Sequence, residues 1–182
     1  MRTLLLFAVL AMPTAALAAP GDKPLIVAHR GASYDAPENT LAAFKLAWEQ
    51  GADAIEGDFY VTTDGESVCT HGRAMRRLGK RDMVVAESKK DDLRKLDVGS
   101  WKDKKFAAER MPSLKEVLAT VPAGKKIFIE IKCGPEIVPA LTQELKASSL
   151  RPEQTVIISF SADVIAACKE AMPDRKAHWL TG

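Results

Sequence analysis

With 182 residues, the chain is long enough for one domain with a sizeable core. Its composition, 47% hydrophobic and 27% charged, is that of an ordinary globular protein and argues against repeat or low-complexity architectures. The 26 Lys and Arg against 24 Asp and Glu leave a formal charge of +2, too little to point to nucleic acid or an anionic surface as partner.

Residues 1–18 read as a signal peptide. Met1-Arg2 is a short basic start, Thr3 to Met12 is almost wholly apolar, and Ala16-Leu17-Ala18 is a small-x-small cleavage pattern. The apolar run is shorter than the about 20 residues of a membrane span, and no second one follows, so stable membrane insertion is not expected. Cleavage after Ala18 leaves 25 basic and 24 acidic residues, a net +1, because Arg2 is the one charge lost. The expectation is export, to the periplasm or the extracellular space, with residues 19–24 as a linker.

Beyond it, strand and helix patterns alternate. Leu25–Ala28 is a short apolar strand. Pro37-Glu38-Asn39-Thr40 opens a helix whose Leu41, Phe44, Ala47 and Trp48 recur at helical spacing, and Gly51 stops it. Ala54–Val61 is a second strand, and Asp64-Gly65 turns the chain into a third at Ser67–His71. Residues 73–111 are highly charged with signs interleaved, a solvated surface with helical turns at Lys89–Leu96. Ser113-Leu114-Lys115-Glu116 is a capping box opening a helix to about Thr120. Strand Lys126–Lys132, helix Pro135–Ser148, strand Thr155–Ser159, helix Ser161–Ala171 and strand Ala177–Thr181 complete the order. Cys69, Cys133 and Cys168 are odd in number and widely spaced, with no CxxC, so small buried thiols are expected rather than a disulfide.

This alternation implies an α/β fold with a parallel sheet, a closed barrel being favoured over an open sheet. No GxGxxG or GxxxxGK[ST] follows any strand, which argues against a nucleotide-binding sheet.

The informative residues are charged ones on strands. Glu56 and Asp58 are two apart in an apolar strand and share a face, as do Glu130 and Lys132. His29 and Arg30 end the first strand and His71 the third. Each feature alone has a bland reading, respectively a solvated face, a structural ion pair and a capping histidine. Together, at the ends of four successive strands, they converge on one barrel mouth.

Three carboxylates in a half-buried site require a cation, and an all-oxygen set suits a hard ion: Mg²⁺ or Ca²⁺, with Mn²⁺ as a further option. Sharing an ion requires their oxygens to lie well within about 8 Å of one another. Two histidines can then serve as general acid and base, while Arg30 and Lys132 face an anionic group, which reads as metal-assisted hydrolysis of a phosphate ester.

The stretch HRGASYDAPENTLAAFKLAWEQGADAIEGDFYVTTDGESVCTHG, followed by RMPSLKEVL and IFIEIK, closely resembles the glycerophosphodiester phosphodiesterase family. The resemblance implies a TIM (β/α)8-type barrel over residues 25–182, with a small insertion at about 73–111, cleaving glycerophosphodiesters into an alcohol and glycerol 3-phosphate with a divalent cation. It implies His29 and His71 as acid and base, Glu56, Asp58 and Glu130 as metal ligands, and Arg30 and Lys132 at the phosphate. The partner implied is a small-molecule substrate.

Two features depart from the family pattern. Gly72 stands where the family has Asp after the second histidine, and RAMRRLGKR replaces a threonine-rich segment. An eight-stranded barrel takes about 250 residues, so the pattern reads as a barrel truncated after about six strands. A degenerate, non-catalytic phosphodiester-binding protein and a phospholipase D-like lipid hydrolase are the alternative readings.

Overall fold

The computed structural model describes residues 24–74 and 83–182. The expected signal peptide, most of the linker and most of RAMRRLGKR lie outside the described residues.

Six strands form one sheet: β1 (Val27–His29), β2 (Ala54–Val61), β3 (Ser67–Cys69), β4 (Lys126–Ile131), β5 (Thr155–Ser159) and β6 (Lys176–Trp179). Its order is β1-β2-β4-β5-β6, all neighbours parallel, with β3 attached to β2. Among the described residues, five α-helices accompany them: α1 (Leu41–Glu49), α2 (Lys90–Leu93), α3 (Leu114–Leu118), α4 (Val138–Ala147) and α5 (Ala162–Ala171).

Strand alternation sorts the sheet into two faces. Ile55, Phe59, Ile127, Ile129, Ile131, Ile157 and Ala177 occupy one, packed against Phe44 and Ala47 of α1, Leu114 and Val117 of α3, Leu141 and Leu145 of α4, and Val164 and Cys168 of α5. Burying each of the large aliphatic side chains contributes about 1.5–3 kcal/mol, which is why β-branched runs and amphipathic helices specify this layer. Register places Glu56, Asp58, Phe128, Glu130, Ile158 and His178 on the opposite face. No helix among the described residues is long and apolar enough to cross a membrane.

Several expectations change. The third strand is antiparallel: Asp64-Gly65 makes a hairpin, so β3 folds back along β2 rather than joining the parallel order, and five of the six strands are parallel. His71 therefore lies beyond the end of a hairpin strand. β1 starts two residues later than Leu25–Ala28 and ends one later, because pairing to β2 runs from Val27↔Ala54 to His29↔Glu56, and Leu25 and Ile26 stay exposed. β6 starts at Lys176, one residue early. The segment after β3 is more than a solvated surface. Its Val85, Leu93, Leu96, Val98 and Met111 form a second small core over Tyr60 and Val68. The three cysteines carry free thiols, Cys69 and Cys168 buried and Cys133 partly so.

Glu144 of α4 reaches β3, where Oε1 accepts from the Ser67 N–H at 3.4 Å and Oε2 is buried without a hydrogen bond. Burial and then the Glu66 charge push its carboxyl up to about 7, while hydrogen bonds from Ser67 and the Lys90 charge pull it down. A carboxyl raised in the folded state holds its proton there longer than in the unfolded chain. Its contribution to stability is greatest below its ordinary 4.5 and is lost as pH rises through about 7. Glu144→Gln removes the titration, so its unfolding free energy, read from thermal melts, should gain on the parent's from pH 5 to pH 8.5 by about 1–2 kcal/mol once solvent screening is allowed for. An equal difference at both pH values would show that Glu144 titrates normally.

Candidate active site

The first strand ends in a tight backbone device. His29 pairs with Glu56 across β1–β2, and the chain then turns through Arg30 at φ 58° and Gly31 at φ 78°. A Cβ on Gly31 would lie 2.6 Å from the Ala43 carbonyl carbon of α1, so only glycine passes here. The turn aims the Arg30 N–H at Glu56 Oε2, at 3.0 Å, and leaves His29 Nε2 3.9 Å from the same oxygen. The imidazole itself remains 67% exposed, open to solvent.

Asp58 and Glu130 sit side by side in the β2–β4 register, with Glu56 one pleat behind on β2. Oxygens of all three lie within 4.8 Å of one another, and all three residues are buried. Mg²⁺ and Ca²⁺ hold oxygens at about 2.0–2.6 Å, so two ligands of one ion lie up to about 5 Å apart. Glu56 Oε1 and Asp58 Oδ1 are buried with no hydrogen bond. Unsatisfied lone pairs on a compact all-oxygen set fit a hard divalent cation. Burial, and after it the Asp58 and Glu130 charges, push the Glu56 carboxyl up to about 8, against the bond from the Arg30 N–H.

The two expected cations border the carboxylates. Lys132 Nζ is 2.7 Å from Glu130 Oε1 and 3.7 Å from Asp58 Oδ1. Arg30 Nε is 3.2 Å from Asp58 Oδ2, and its Nη1 is 3.1 Å from Glu38. Among the described residues of this cluster, four carboxylates thus face two cations, a set with room for a further positive charge.

His71 follows β3 at the same end of the sheet. The Thr70 N–H donates to the Asp58 carbonyl at 2.9 Å, and the Tyr60 hydroxyl donates to the His71 carbonyl at 3.4 Å. Tyr60 shares the Glu56–Asp58 face, which sets His71 next to that face.

Glu38 and Asn39 also belong to the cluster, although their segment reads in sequence only as a helix start. Asn39, 2% exposed and at φ 59°, sits just before the Thr40 N-cap of α1. Its left-handed backbone is why α1 begins at Leu41 rather than at Pro37. The signal available in sequence is an Asn directly before a Thr cap, since Asn visits that conformation more readily than most residues.

The family model of the glycerophosphoryl diester phosphodiesterase family matches residues 29–181. The chain belongs to this family. A glycerophosphodiester phosphodiesterase of Caldanaerobacter subterraneus is 38% identical over 164 residues, covering 87% of this chain and 67% of that protein. One of Bacillus subtilis is 30% identical, covering 84% of this chain and 58% of its own. Among solved structures, an Oleispira antarctica phosphodiesterase in complex with the product sn-glycerol-3-phosphate superposes with a TM-score of 0.82 at 30% identity. That likeness covers 86% of this chain and 65% of the Oleispira chain. A glycerophosphodiester phosphodiesterase from Agrobacterium tumefaciens gives 0.75 at 31%, covering 85% and 66%. As a family member the chain has the α/β TIM-barrel fold, of which the described sheet is an open arc, and it spans about two thirds of these structures.

Proposed function

We propose that this glycerophosphodiester phosphodiesterase family member hydrolyses glycerophosphodiesters to an alcohol and glycerol 3-phosphate. The observation that carries this is the buried Glu56–Asp58–Glu130 cluster, bordered by Arg30 and Lys132 and set beside an exposed His29. A divalent cation held there, Mg²⁺ or Ca²⁺ with Mn²⁺ as a further option, would supply charge neutralisation and Lewis acidity at the phosphate. Arg30 and Lys132 orient the phosphate, the guanidinium itself ion-paired to Glu38 and Asp58. His29 and His71 hold and move the protons that the attacking and leaving oxygens lose and gain. The proposed catalytic domain is residues 25–182, with the 73–111 segment as an insertion. Residues 1–18 support export through a cleaved signal peptide; a mature N-terminus at Ala19 in the periplasm or medium checks it.

The deciding experiment incubates the protein with glycerophosphocholine, with Mg²⁺, Ca²⁺ or Mn²⁺ and with EDTA, and follows glycerol 3-phosphate. Release that EDTA abolishes supports the reading. Binding of glycerophosphocholine without turnover under all three metals would favour a non-catalytic binding protein.

Gly72 supplies a further check. Its backbone lies outside the left-handed region, and a Cβ there would lie 3.1 Å from the Ala74 carbonyl oxygen, so Asp fits after a small shift. Gly72→Asp restores the carboxylate the family pattern has beside the second histidine. Losing a partner that orients a site residue commonly costs about 10–100-fold, so turnover should rise about 10-fold or more. Equal turnover would mean the carboxylate has no role beside His71.

A further inference from the structure

Asp58 is held by Asn39, a neutral side chain of the cluster that is not one of its three carboxylates. Asn39 Nδ2 donates to Asp58 Oδ2 at 2.8 Å, and the Asp58 backbone N–H donates back to Asn39 Oδ1 at 3.1 Å. One amide thus grips both the carboxylate and the main chain of the same residue, which fixes the Asp58 rotamer. The Cys69 thiol donates to the same Oδ1 at 3.2 Å, and the Asn39 N–H donates to the Arg30 carbonyl at 3.1 Å. The side-chain amide is therefore held from the hairpin side, and the Asn39 main chain from the β1 turn. With Oδ2 engaged by Asn39 and Arg30, Oδ1 is the oxygen left without a hydrogen bond.

We infer that Asn39 is a positioning residue that selects which Asp58 oxygen is offered to a divalent cation. The inference rests on the reading of Glu56, Asp58 and Glu130 as a cation site. It assigns Asn39 an effect on cation affinity beyond any effect on folding, because a rotated Asp58 carboxylate would turn Oδ1 away from its two neighbours.

Asn39→Gly separates the two roles, since glycine adopts φ 59° freely and only the amide is lost. Calorimetric titration of the full chain with Mn²⁺, well below its melting temperature, should show affinity about 10–100-fold weaker in Asn39→Gly. Asn39→Asp is the second variant, nearly isosteric and tolerant of the same backbone, but without the amide donor. Positioning predicts weaker Mn²⁺ binding there too, despite the added negative charge. Equal affinity in Asn39→Gly with a lowered melting temperature would make the residue purely structural and overturn the inference. Tighter binding by Asn39→Asp would show that charge count, not orientation, governs the site, and would overturn it equally. If the unsubstituted chain binds no Mn²⁺, the cation site itself is refuted and this inference with it. Tight binding by the unsubstituted chain makes the Asn39 variants decide the inference alone.

Discussion

Asp58→Asn is expected to abolish turnover, by about 1,000-fold or more, while leaving the cation-free protein close to the parent's stability. Asp58 is completely buried, ion-paired to Arg30 at 3.2 Å and to Lys132 at 3.7 Å. Losing a partner of buried charges usually costs about 3–5 kcal/mol. Here that loss is offset. Glu38, Glu56 and Glu130 still surround Arg30 and Lys132, and removing one like charge relieves the repulsion that helps raise Glu56 to about 8. The distinguishing measurement is a thermal melt with and without Mn²⁺. Cation at about 100 times its dissociation constant adds about 2.7 kcal/mol to the folded state, roughly 5–10 °C for a domain of this size. The parent should show that rise and Asp58→Asn little or none. Equal rises in both proteins would remove Asp58 from the cation site, and retained turnover would remove it from the chemistry.

The sheet was legible because β-branched runs bounded by turn residues leave little choice. KIFIEIK and TVIIS become neighbouring parallel strands, and their alternating residues divide between helix-packed and open faces. The cluster was legible for the same reason: a charge inside an otherwise apolar strand must face something that tolerates it. The antiparallel direction of β3 is carried by Asp64-Gly65 alone, against a strand–helix alternation that otherwise points to parallel neighbours. A two-residue turn signal cannot support a parallel crossover, which takes a dozen residues or more. The second core after β3 was hidden by composition. Beyond the single helical turn that spaces Leu93 and Leu96, its Val85 and Val98 are scattered among charges, and tertiary contact with Tyr60, Val68 and Met111 gathers them. Asn39 and Glu38 were missed because local capping explained them fully. Their link to Asp58 and Arg30 spans 19 and 8 residues, a contact that no local pattern encodes.

Gly31→Ala should lower both stability and turnover, and the reason is backbone geometry. At φ 78° an L-residue carries a left-handed penalty of about 1–2 kcal/mol. Its methyl would also lie 2.6 Å from the carbonyl carbon and 2.7 Å from the carbonyl oxygen of Ala43, main-chain atoms of a helix whose Ala43, Phe44 and Ala47 are buried. Main chain cannot swing aside as a flexible side chain does, so overpacking adds about 1–3 kcal/mol more. The sum predicts a melting temperature lower by roughly 5–15 °C. Relief of the clash by lifting the turn would carry Arg30 with it, breaking the N–H bond to Glu56 Oε2 and displacing the guanidinium. A shift of about 1 Å there is worth about 100-fold in turnover. Gly65→Ala is the matched control, because Gly65 has φ 75° but nothing within 4 Å of its would-be Cβ. It should show the conformational cost alone and unchanged turnover. If Gly31→Ala proves no worse than Gly65→Ala in either measurement, the contact with α1 does not constrain the turn. His29 and Arg30 would then be positioned by the strand pairing alone.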